Sequence, residues 1–87
     1  MPTVIAVHDV RDNELWTGSS RREEFLGPLG VTNIRTFADP QNPTQVGLVM
    51  DVADLDAMLA ALQTQAGADT MQHDGVLPET VRILVEQ

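Results

Sequence analysis

The 87-residue sequence contains no cysteine, no lysine and no tyrosine, and its aromatic side chains are limited to one tryptophan and two phenylalanines. Without cysteine, disulfides and thiolate metal sites are excluded, and the redox compartment is left open. Without tyrosine, phenolic radical or acid–base chemistry has no side chain to run on. Positive charge is scarce as well. Five arginines (Arg11, Arg21, Arg22, Arg35, Arg82) stand against thirteen acidic residues, for a net charge of −8. Such a surface repels phosphate backbones and anionic lipid, so neither nucleic acid nor a membrane surface is an expected partner. No apolar run approaches the length of a membrane span, and the start of the sequence lacks the basic region and long apolar core of a signal peptide. A cytoplasmic protein of one small domain, residues 1–87, is the expectation.

The stretch VGLVMDVADLDAMLAAL (46–62) organises the remainder. It opens as an unbroken apolar run, then changes period at Asp51, placing Leu55, Met58, Leu59 and Leu62 on one helical face. A buried strand over 46–52 therefore feeds an amphipathic helix, with Asp51 or Asp54 available as its cap and Ala66-Gly67 ending it near Gln65. Before this unit, residues 3–10 (TVIAVHDV) form a first strand, apolar on both faces. A helix capped by Asp12 or Asn13 follows, interrupted at Gly18, Ser19 and Ser20 and stopped by Gly27, Pro28 and Gly30. Residues 31–38 form a second strand, and 39–45 (DPQNPTQ) a turn of hairpin length. After the main helix, 69–73 can add one helical turn capped by Asp69 and closed by Gly75. Pro78 then precedes a last strand over 80–86.

The order β-α-β-β-α-β is the ferredoxin-like pattern, in which the first and third strands are central. Those are the two strands apolar on both sides, whereas the second and fourth carry Asn33, Arg35, Arg82 and Glu86. Two helices cover one face of a four-stranded antiparallel sheet, so the other face is left apolar and open. The simplest cover is the same face of a second copy, a homodimer; the alternative is a monomer whose residues 66–78 fold over that face.

The segments VHDVRDNELW, ADPQNPTQVGLVMDVADLDAML and MQHDGVLPETVRILVE together resemble the dimeric α+β barrel superfamily, including its antibiotic-biosynthesis monooxygenase-like small proteins. The resemblance implies a barrel-like dimer of α+β subunits. For activity it implies cofactor-free oxygenation of aromatic substrates, haem degradation, or none. It transfers no catalytic residue, because the shared motifs are architectural.

Among the residues themselves, His8 stands out. It lies on a central strand between Ala6 and Val10, where a protected ring can act as acid, base or ligand anchor near neutral pH. The plainer alternative is a core histidine bonded to a carboxylate or carbonyl, with Asp9 and Asp12 nearby in sequence. His73, in MQHDG, either approaches the same cleft or sits in a solvated loop. Trp16 and Met50 read as core or as cleft wall, and so does Phe37. No cofactor and no metal is expected. Gly27-Pro-Leu-Gly30 follows a helix and lacks the lysine of a phosphate loop, and His8, Asp9, Asp12 and His73 do not share a metal-ligand spacing. Two functions stand side by side: binding, or cofactor-free oxygenation, of a small apolar or aromatic molecule, with His8, Trp16, Phe37, Met50 and His73 at the site; or a non-catalytic interaction dimer with a filled interior.

Overall fold

The computed structural model describes residues 2–87. In chain order it contains β1 (Thr3–Asp9), α1 (Asn13–Gly18), α2 (Arg21–Leu26), β2 (Val31–Asp39), β3 (Asn42–Val52), α3 (Leu55–Leu62), α4 (Gln65–Asp74) and β4 (Arg82–Val85). Short 3₁₀ turns occupy Gly27–Leu29 and Pro78–Thr80. The four strands make one antiparallel sheet in the order β2-β3-β1-β4, so the two strands apolar on both faces are the central ones. This is the ferredoxin-like arrangement read from the sequence.

Alternation along β1 and β3 divides the sheet cleanly. Val4, Ala6, Val46, Leu48, Met50 and Val52 are buried on one face, and Trp16, Leu26 and Met58 from the helices close over them. The opposite face presents Ile5, Phe37 and Leu84, which are 40 %, 53 % and 50 % exposed, with half-buried Val7 and Val49 between. Helix α4 packs with α2 and α3, and its Gly67, Thr70, Met71 and Asp74 face the same space as Ala6 and Leu48. Residues 66–78 therefore cover the already sheltered side. The alternative in which they fold across the open face is wrong.

Local chemistry accounts for the helix ends. Asp12 accepts from the amides of Glu14 (2.9 Å) and Leu15 (3.4 Å) and so starts α1. The extended backbone of Ser19 splits the first helical region into two pieces. Asp54, rather than Asp51, caps α3 by accepting from Ala57 N at 3.0 Å. Asp51 instead receives the Thr3 hydroxyl at 3.1 Å and the Asn33 amide at 3.3 Å.

Three boundaries differ from the sequence expectation. Helix α3 stops at Leu62, and α4 is a full ten residues capped by Thr64, whose Oγ1 accepts from Gly67 N at 3.2 Å. Ala66-Gly67 thus lies in the first turn of α4 and does not end a helix; glycine is required there because the backbone of Ala61 and Leu62 passes so close. A Cβ on Gly67 would fall 2.7 Å from the Ala61 carbonyl oxygen. The hairpin between β2 and β3 is also tighter than expected. β3 begins at Asn42, and Pro43 is accommodated near the strand start, where its carbonyl accepts from Asn13 Nδ2 at 2.7 Å. Thr80 belongs to the 3₁₀ turn preceding β4, where its Oγ1 accepts from Asp9 N at 2.9 Å and donates to Leu77 O at 2.6 Å.

Candidate functional site

Between the sheet and the helices lies a cavity of about 90 Å³. Its walls are almost wholly aliphatic, aromatic or thioether, supplied by side chains such as Leu48, Met50, Met58 and Ile83. Polar side chains interrupt them at four places: half-buried Thr70 on α4, and His8 from β1, Arg22 from α2 and Asp74 from the end of α4. The last three are buried, at 8 %, 6 % and 3 % exposure.

His8 occupies the penultimate position of β1, opposite Val46 of β3, and its alternation with Ala6 turns the ring toward the helices. It meets Trp16 edge to face, with ring centroids 5.5 Å apart and planes inclined at 74°. Neither ring nitrogen has a hydrogen-bond partner. The core-histidine alternative required one, and neither Asp9 nor Asp12 supplies it. Burial lowers the His8 pKa below its ordinary 6.5, the Arg22 charge lowers it further, and Asp9 opposes both. Near pH 7 the ring is neutral, with one nitrogen free to accept and the other to donate.

Arg22 lies over the tryptophan ring, its guanidinium carbon 4.6 Å from the ring centroid. Both terminal nitrogens donate to the Trp16 carbonyl at 3.3 Å, and Nη1 stands 3.9 Å from Asp74 Oδ2. Its Nε has no partner. Asp74 is better served. Ser19 Oγ donates to Oδ1, and His73 Nδ1 lies 2.9 Å from the same oxygen. The carboxylate thereby ties the α1–α2 break to the C-terminus of α4.

His8, Trp16 and Met50 of the expected site thus come together around the cavity. Phe37 does not join them: it pairs with Gly47 on the open face of the sheet, because the alternation of β2 and β3 puts it there. His73 does not line the cavity either; it is 43 % exposed and reaches inward only by bonding Asp74. Arg22 and Asp74 were missed by the sequence reading. A signal existed for each. Arg22 sits three and four residues before Phe25 and Leu26, on the stripe that α2 buries. Asp74 puts a negative charge in the last turn of a helix, where the dipole disfavours it unless donors are supplied. Among the described residues, no cluster of three or more His, Cys, Asp or Glu side chains is placed to share a metal ion.

The arrangement offers a neutral acceptor nitrogen, a buried cation and an apolar wall within one small space. That set can withdraw a proton from a weak acid and hold the resulting anion.

No protein-family model and no curated protein matches the chain. Solved structures do. A proposed antibiotic biosynthesis monooxygenase from Bordetella bronchiseptica superposes with a TM-score of 0.74 at 17 % identity, over 99 % of this chain and 94 % of that one. The chain has the fold of the antibiotic biosynthesis monooxygenase-like, ferredoxin-fold proteins. The proposed monooxygenase of Nitrosomonas europaea shares it, with a TM-score of 0.66 at 14 % identity, covering 100 % and 97 % of the two chains. So does a dimeric ferredoxin-like protein of unknown function from Jannaschia sp. CCS1, with a TM-score of 0.63 at 9 % identity, covering 100 % and 99 %. Likeness at such identities establishes the ferredoxin-like fold of the single subunit and leaves the chemistry to this chain's own residues. Among the described residues, no helix is long and apolar enough to cross a membrane.

Proposed function

We propose that the protein binds a small, mostly apolar or aromatic molecule in the cavity between sheet and helices, and that His8 polarises or deprotonates it. One observation carries this reading: a buried imidazole with both nitrogens unpaired, facing an apolar cavity. Leaving such a group unmet costs a fold about 1–3 kcal/mol, a cost that a ligand bonding there removes. The fold neighbours described as monooxygenases suggest the form catalysis takes here. A C–H acid gives its proton to neutral His8, and the carbanion reduces dioxygen, converting CH₂ and O₂ to C=O and water. Trp16 and Met50 shape the wall against which the substrate lies. The unfilled space weighs against an interior packed solely by its own side chains.

The same proposal includes a second copy of the chain seated on the open sheet face, supported by the exposed Ile5, Phe37 and Leu84 and by the description of the Jannaschia protein as dimeric. It keeps the protein in the cytoplasm, which cell fractionation checks. Native mass spectrometry of the purified protein tests stoichiometry and any retained small molecule together. His8→Ala is expected to abolish retention of that molecule; unchanged retention and unchanged turnover in the variant would remove His8 from the reading.

A further inference from the structure

Arg22 is the least satisfied charged group in the interior. A guanidinium has five N–H donors in a fixed fork. Here the end of the fork, the two Nη nitrogens, shares one carbonyl at 3.3 Å, the long limit for a hydrogen bond. Nη1 also faces Asp74, at 3.9 Å. That leaves the side edge, made of the Nε hydrogen and the neighbouring Nη2 hydrogen, and Nε is buried without a partner. Asp74 cannot fill this edge. It stands on the Nη1 side, and its Oδ1 is engaged by Ser19 and His73. His8, also unpartnered, meets the same indole ring, with ring centroids 5.5 Å apart.

Two parallel N–H groups on one planar edge match the two oxygens of a carboxylate better than any neutral acceptor, and a lysine cannot reproduce the fit. We infer that the cavity's ligand is a small monocarboxylic acid, bound through its carboxylate to the Nε–Nη2 edge of Arg22 with its apolar body against Trp16, Met50 and Met58. This rests on the cavity being a ligand site and goes further by naming the head group and the residue that selects it. The size of the space, about 90 Å³, restricts the body to a short chain or a single ring. The Arg22 charge helps hold the His8 pKa down, and a carboxylate on the edge of Arg22 offsets that charge. Protonation of that ring then becomes easier when the ligand is bound, and affinity should rise as the pH is lowered from 8 toward 6. Arg22 on α2 and Asp9 on β1 itself set that response, and Asp74 on α4 lines the same cavity.

The sole tryptophan lies inside the site, so its fluorescence reports binding directly. Butyrate and benzoate should be titrated against butanol and benzyl alcohol, with the Arg22 Nε–H resonance followed by ¹⁵N NMR on the wild-type protein. The acids are expected to bind at least about tenfold more tightly than the matched alcohols, and the Nε–H signal to move downfield only with the acids. Arg22→Lys, which keeps the charge but loses the edge, should abolish the preference. Should that variant fail to fold, the wild-type resonance decides alone. Equal binding of acids and alcohols with a stationary Nε–H signal would overturn the carboxylate assignment and leave the cavity as a site for neutral molecules. No response to any of the four compounds would overturn both, with the Arg22 edge served by water alone.

Discussion

His8 is a residue whose burial works against stability. Its ring is buried against Trp16, yet both nitrogens lack partners, so folding strips water from two polar atoms and returns nothing for them. His8→Leu removes that penalty with a side chain of similar size. It is expected to raise stability by about 1 kcal/mol while eliminating ligand binding, measured by urea unfolding and by Trp16 fluorescence. The pH response follows from the lowered pKa. The unfolded ring takes up a proton near 6.5 and the folded ring only at a lower pH, so in between the unfolded state binds more protons. Wild-type stability is therefore full above about pH 6.5 and declines as pH falls through that window. The His8→Leu advantage should widen from pH 7.5 to pH 5.5; an advantage independent of pH would show that the ring is not held neutral. At this scale the sequence was readable where a period of two decides the face. His8, flanked by Ala6 and Val10 on a strand, had to point with them. Arg22 and Asp74 were less legible because a six-residue helix and a helix end give too few turns to fix which side is buried. Phe37 was misplaced because apolar character alone does not distinguish the cavity face from the open one.

At the level of elements, the α3–α4 junction is the place where the backbone itself sets the cavity's shape. Gly67 lets the first turn of α4 lie against the carbonyls of Ala61 and Leu62, bringing Thr70, Met71 and Asp74 over the sheet. Gly67→Ala puts a methyl group 2.7 Å from one carbonyl oxygen and 2.9 Å from another, both backbone atoms that cannot move aside alone. A loss of about 2 kcal/mol is expected, with a downward shift in the thermal midpoint. Gly18 provides the contrast. It lies in the last turn of α1 with open space around it, so Gly18→Ala should be neutral or stabilise by up to about 1 kcal/mol. If the two substitutions behave alike, the close approach at residue 67 is not what demands glycine. The strands and their order could be derived from alternation and turn residues. The second half of the helical layer could not, because Ala66-Gly67 carries the signature of a stop signal whether the glycine ends a helix or admits a neighbour. Only the packing separates the two, and Thr64, the cap that reveals α4, is one hydroxyl among several polar residues.

For the whole molecule the deciding quantity is the balance between apolar area and charge on the open sheet face. Ile5, Phe37 and Leu84, with Val7 and Val49, form a contiguous surface that no helix shelters. Two chains of net charge −8 repel one another, and that repulsion opposes any symmetric pairing. The face itself carries little of that charge, however. Strand alternation and register place Arg35 opposite Val49 and Arg82 opposite Val7 on this side, against Asp9, Asp39 and Asp51. The like charge is therefore carried mainly elsewhere and acts at longer range, where salt screens it with a Debye length of about 8–10 Å. A dimer through this face should accordingly tighten as salt is raised, the reverse of an interface held by ion pairs. Leu84 tests the geometry. It lies on edge strand β4 and is half exposed, so Leu84→Glu costs a lone subunit little but puts an unpaired carboxylate into the contact. Sedimentation at micromolar concentration is expected to give a dimer for the wild type and a folded monomer for Leu84→Glu, with the wild-type association constant increasing between 50 and 500 mM NaCl. A variant that still sediments as a dimer would move the contact off this face, and a wild-type monomer would leave the open sheet to some other cover.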